Sequence, residues 1–362
     1  KRVCPQPHDP EAAAGAAGCA VQSPVAWQRT TAVARERFIF WWRGSRGLTV
    51  VIWLANGRPR GSRGRGTPSP VYSCAGSRKP CRPMQFVPLV LLVAGGALVS
   101  HAVLVPYCVG RDRIGAVLGS RDRRRRRLRA VAPYLGGLAL VLLVNKGLLR
   151  RLETLSRAYG VRATLWFYEL EGDAVATVQS AIPEWGVYVF GPVYVLGYVV
   201  VLTLPLVAYV FATNARAVKT LVTAYAVEYL VAIACYTAVF AYGPRNYHRL
   251  PGADPSAARV EAPLLEAFRS VTRLTARVNV ETNVFPSMHA ALSVTVFLVA
   301  VSTHDEFPRW TGVAGVLVAS ILLSTLYLGV HWVTDLVAGG VLAVGGVVVA
   351  DRIVSHADRA RW

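Results

Sequence analysis

VTDLVAGGVLAVGGVVVADRIV, residues 333–354, is the stretch on which the fold turns. As an α-helix rising about 1.5 Å per residue it is about 33 Å long, enough to cross a bilayer core of roughly 30 Å. No charged residue lies between Asp335 and Asp351. A soluble surface helix would show a polar face over that length, and this one shows none. It reads as a transmembrane helix.

Outward from it, six more runs have the same character, over about 86–106, 130–149, 186–211, 220–242, 287–303 and 311–329. The whole chain of 362 residues is 54% hydrophobic and only 17% charged, which argues against a soluble globular domain. The expected fold is therefore all-α, a polytopic membrane helical bundle. Formal net charge is +20. On a soluble protein that would suggest nucleic acid. Here most arginines sit between apolar runs, and no basic stripe is interleaved with aromatics, so nucleic acid is not an expected partner. The six cysteines show no metal-ligand spacing; Cys108 and Cys235, in or beside apolar runs, read as packing residues.

Residues 111–129 carry nine arginines against two aspartates and read as a basic loop retained in the cytoplasm. Counting spans from it puts Arg216, Lys219, Arg352, Arg359 and Arg361 on the same side. Segments 150–185 and 243–286 then lie outside the cytoplasm. Residues 1–83 contain no Met and are rich in Arg, Gly, Pro and Ser. They read as a disordered tail or a mis-called extension, with translation starting at Met84. The expected organisation is an extra helix and basic loop over 84–129, a six-helix domain over 130–354, and a cytoplasmic tail over 355–362.

Three short stretches carry chemistry: GPRNY (243–247), NVFPSMHAALS (283–293) and STLYLGVHWVTDLVAGG (324–340). No span separates the first two, and two separate the second from the third, so all three emerge on one membrane face in either orientation. His331 and Asp335 stand four apart, one turn along a single helix face. A carboxylate there can accept one imidazole proton and leave the other nitrogen's lone pair free, which a histidine nucleophile requires. Ser287 and His289 open the fifth span behind Pro286. Free N–H groups at a helix start seat a phosphate, the Ser287 hydroxyl adds a donor, and His289 can protonate a leaving oxygen. Arg245 offers a fork of donors to phosphate oxygens, or serves as an interfacial anchor.

Pro286-Ser287-Met288-His289, followed by His331 and Asp335, resembles the second and third motifs of the type 2 phosphatidic acid phosphatase superfamily. The resemblance covers about residues 130–354 and implies a six-helix core, with the span at 86–106 as an addition. It implies that His331 forms a phosphohistidine, that His289 is the general acid, and that no metal or other cofactor is needed. The implied partner is a lipid phosphate in the membrane, met at the outer face of the cell membrane. Three positions depart from the family pattern: Met288 replaces Gly, Thr325 replaces the arginine six before His331, and Ala238 replaces the lysine seven before Arg245. With the aromatic Trp332 after His331, the pattern is more similar to the inositol phosphorylceramide synthase branch, whose members move a phospho-headgroup between lipids.

Phosphoester hydrolysis is thus the leading expectation, with headgroup transfer as the alternative. A transporter with histidines along a pathway would need ionisable residues deep in several spans, and only Glu228 fits. That residue reads equally as one bonded to a neighbouring helix. A non-catalytic lipid-binding relative is the remaining class. Arg269, Arg273 and Arg277, spaced at four, describe an amphipathic helix whose basic face meets lipid headgroups or replaces the missing cations. Glycines 339, 340, 345 and 346 are expected to allow close helix packing.

Overall fold

In the computed structural model, residues 86–119, 121–267, 282 and 284–360 are described, all within the unit Lys79–Trp362. The tail over 1–83, Met84 and the arginines 269, 273 and 277 lie outside the described residues.

Helix α1 (Phe86–Val109) is followed by α2 (Arg111–Leu118) and the long α3 (Arg121–Tyr159). The strand β1 (Val161–Arg162) leads to two short helices, α4 (Thr164–Glu171) and α5 (Ala174–Ser180). The next span is composite. A 3-10 turn (Glu184–Gly186), α6 (Val187–Pro192), a π-helical turn (Val193–Gly197), α7 (Tyr198–Ala208) and a second 3-10 turn (Tyr209–Phe211) run on from one another. Helix α8 (Arg216–Ala238), strand β2 (Val239–Phe240), a 3-10 turn (Pro244–Arg249) and α9 (Pro263–Ala267) follow. The chain closes with α10 (Met288–Ser302), α11 (Pro308–Tyr327) and α12 (Val333–Arg359).

Among the described residues, six helical segments are long and apolar enough to cross a membrane, and α10, of 15 residues, is shorter. The apolar runs read from the sequence coincide with these seven segments. Helix α10 lies among α7, α8, α11 and α12. Ala290, Ala291, Leu292, Val296, Val299 and Ala300 on it are all buried. A helix enclosed by other helices faces protein rather than lipid, so its length is not set by bilayer thickness. By contrast Leu91, Leu98, Leu140, Leu143, Val341 and Val344 on α1, α3 and α12 are exposed, as lipid-facing positions are.

Two features differ from expectation. The basic segment 111–129, read as a loop, is helical: it forms α2 and the first turns of α3. Arginine is a good helix former, and the apolar run behind it extends the helix back through the charges. A two-stranded parallel pairing also joins β1 to β2, with Val161 opposite Val239 and Arg162 opposite Phe240. It gives partners to backbone groups that the ends of α3 and α8 leave free.

Ion pairs between elements mark one end of the bundle. Arg113 meets Glu306 at 2.7 Å, Arg216 meets Asp351 at 2.8 Å, and Lys219 meets Asp358 at 2.6 Å. Arg127 donates to the carbonyls of Val210 and Thr213. The basic segment therefore shares its end with the α7–α8 and α10–α11 connections and the C-terminal turns of α12. The three motif stretches gather at the opposite end.

Candidate active site

The third motif is held by backbone contacts. The chain leaves α11 through Gly329, whose φ of +62° suits glycine best. It turns back so that the Val330 N–H donates to the Thr325 carbonyl at 3.0 Å. Gly243 presses against this turn: a Cβ there would stand 2.3 Å from the Val330 oxygen. The Arg245 N–H donates to the Gly329 carbonyl at 3.2 Å. The first motif thus docks on the third without a side chain between them, and Arg245 is brought beside His331.

The second motif is fixed in a similar way. Ser287 is the N-cap of α10, its hydroxyl accepting the Ala290 N–H at 3.2 Å. Its own N–H donates to the Asp335 carbonyl at 3.0 Å, tying the start of α10 to the first turn of α12. Gly339, one turn on, makes this approach possible, since a Cβ there would lie 2.5 Å from the Ser287 oxygen. Gly346 likewise faces Glu228, whereas Gly340 and Gly345 face open space. Close packing is therefore confined to two of the four glycines.

His331 Nε2 lies 3.4 Å from His289 Nδ1, with ring centroids 5.5 Å apart. Both side chains are nearly buried, at 4% and 9% exposure. The expected carboxylate bond to His331 is altered. Asp335 Oδ2 is 3.4 Å from His331 Nδ1, and neither that nitrogen nor Asp335 Oδ1 has a hydrogen-bond partner. The reason is local: Oδ2 accepts the Trp332 backbone N–H at 2.8 Å, as an acid in the first turn of a helix does. Asp335 is thus both the cap of α12 and the carboxylate facing His331.

A second acid completes that cap. The Glu171 carboxylate, at the end of α4, accepts the N–H of Val333 at 2.8 Å and that of Thr334. Free donors and the positive dipole end of a 27-residue helix favour this seat. Glu171 thereby pins α4 over the start of α12. An aromatic cluster of Phe167, Tyr247 and Trp332 fills the space beneath, and the Trp332 indole donates to the Tyr242 carbonyl at 2.8 Å.

Burial holds the His331 pKa well below the usual imidazole value, and the Arg245 guanidinium lowers it further, with the Val284 backbone opposing them. A neutral imidazole with a lone pair results. The Arg245 side chain makes no hydrogen bond or ion pair among the described residues, so its donors are open to a ligand. Thr325, where the family pattern has arginine, is fully buried and its hydroxyl donates to the Leu322 carbonyl. It offers the site no charge. Among the described residues no three His, Cys, Asp or Glu side chains converge as a metal site requires.

The structure therefore brings His289, His331, Asp335, Ser287 and Arg245 to one place. Three neighbours went unread in the sequence. Tyr194 and Tyr198 flank the His289 ring, with centroids 4.7 Å and 4.4 Å away. Their four-residue spacing inside an apolar run was a readable sign of a shared face. Glu171 carried no comparable sign, because its partners are backbone groups some 160 residues later.

No curated protein and no solved structure matches the chain. Residues 175–349, which hold all three motif stretches together with Arg245, Ser287, His289, His331 and Asp335, match the family model of the PAP2 superfamily.

Proposed function

We propose that this protein is an integral-membrane phosphoesterase acting on lipid-linked phosphate through a phosphohistidine intermediate, with its site on the extracytoplasmic face. The carrying observation is the 3.4 Å approach of two buried histidine nitrogens beside the open guanidinium of Arg245. His331 Nε2 attacks phosphorus, the phosphorus–oxygen ester bond breaks, and His289, in its protonated form, gives its proton to the departing oxygen. Water then attacks the phosphorus–nitrogen bond, passing a proton back to His289 and releasing phosphate. Arg245, the Ser287 hydroxyl and N–H groups at the start of α10 bear the charge on the remaining oxygens. A phosphorus atom in bonding range of Nε2 needs the room the two rings now share, so substrate entry parts them.

Turnover of a short-chain lipid phosphate by the purified protein, with His331→Ala alongside, tests this reading. Release of phosphate by the wild type and its loss in the variant are the expected results. Equal activity in both removes the mechanism.

A second reading, transfer of a phospho-headgroup between lipids, is favoured by one observation: Ala238 and Thr325 leave Arg245 as the sole cation of the motif pattern. A phosphodiester carries one negative charge where a monoester carries up to two, so fewer cations suit it. Radiolabelled phospholipid incubated with inositol, glycerol or sphingoid alcohols separates the two. Free phosphate as the only product decides for hydrolysis.

A further inference from the structure

The π-helical turn Val193–Gly197 interrupts a membrane span at the level of the site, and such turns are frequent at functional sites. Here it presents Tyr194 and Tyr198 to the same imidazole. The two are used differently. The Tyr198 hydroxyl donates to the Met288 carbonyl at 3.2 Å, which ties the span to the start of α10. Tyr194 stacks on His289 at an interplanar angle of 26° and packs in one apolar cluster with Leu328 and Val330, beside His331. It is only 5% exposed, and its hydroxyl has no hydrogen-bond partner among the described residues. Arg245 is near enough to act electrostatically on both Tyr194 and His331.

A nearly buried phenol is ordinarily hydrogen-bonded. The Tyr194 hydroxyl, on a ring stacked on His289 and within electrostatic reach of Arg245, can donate to an acceptor bound beside them. We infer that the Tyr194 hydroxyl is a further substrate-binding group, donating to a phosphoryl oxygen that Arg245 also holds. It supplies a directional bond without adding charge, at a site where Ala238 and Thr325 supply none. This rests on the proposed phosphoester chemistry and extends its ligand set by one residue.

Tyr194→Phe keeps the ring stacked on His289 and removes the hydroxyl alone. Two readouts are needed: kcat/KM on the short-chain lipid phosphate and affinity for inorganic orthovanadate, a phosphoryl mimic. Both fall by about 10- to 100-fold, the usual effect of deleting one donor to a charged group, while the thermal midpoint in detergent stays unchanged. If the midpoint drops, 3-fluorotyrosine at position 194 takes over: its more acidic hydroxyl must alter orthovanadate affinity, and unchanged affinity overturns the inference. Tyr194→Phe within about twofold of wild type on both readouts overturns the role of Tyr194 and leaves the proposed function standing. A wild-type protein that neither turns over the lipid nor binds orthovanadate overturns both.

Discussion

Burial and the Arg245 guanidinium both resist a proton on His331, and burial is the larger influence. The folded-state pKa is thus depressed, so the nucleophile is present above it and lost only as pH falls through it. The acid limb of kcat/KM that belongs to His331 accordingly lies below the ordinary imidazole value of about 6.5. Arg245→Met removes one of the two causes, and its acid limb moves upward in pH relative to its own plateau. A pH profile of both proteins checks this, and an unmoved limb contradicts it. Asp335→Asn keeps the size of the side chain but loses the carboxylate 3.4 Å from His331 Nδ1. By the logic of a histidine held in one tautomer, kcat falls by about 100- to 10,000-fold while substrate affinity changes little.

At the level of helices, the site depends on how closely α8, α10 and α12 approach one another, since these three lead into or out of all the motif stretches. Gly339 is one contact point. Gly339→Val drives its side chain into the Ser287 carbonyl and the Ala290 side chain. Overpacking of this kind costs about 1–3 kcal/mol, so both the thermal midpoint and kcat decrease. Gly340→Ala and Gly345→Ala, facing open space, leave both unchanged. Glu228 is the second point. Fully buried on α8, it accepts the Thr295 hydroxyl from α10 and packs on Gly346 of α12. Glu228→Ala strands a buried hydroxyl and opens a cavity, lowering stability by about 1–3 kcal/mol, whereas Glu228→Gln keeps an acceptor and loses much less. Thermal unfolding in detergent distinguishes the two.

The long apolar runs, Ser287-Met288-His289 and the His331/Asp335 spacing were legible because each is a local pattern with a fixed physical period. Glu171 was not, since its role is to accept two backbone N–H groups that any sequence would offer. Nor was the π turn Val193–Gly197, which lies inside a continuous apolar run. The expected Asp335 contact with His331 is present as a 3.4 Å approach without a hydrogen bond. The spacing puts the carboxylate on the correct face, but capping of Trp332 competes for the same oxygen.

Across the whole molecule, the ion-paired end and the histidine end lie on opposite sides of the bundle. With the arginine-rich end in the cytoplasm, as the charge asymmetry proposes, the histidines face outward. Single cysteines at Leu118 and Leu170, exposed at the two ends, test this in intact cells. An impermeant maleimide labels position 170 and spares position 118; the reverse pattern places the site inside.

The most direct test of the chemistry is to trap the covalent intermediate. Brief mixing with phosphorus-labelled lipid phosphate, followed by alkaline quenching, leaves a base-stable, acid-labile label on the peptide that contains His331, and His331→Ala carries none. Label on another residue, or full turnover by the variant with no labelled histidine, contradicts the account.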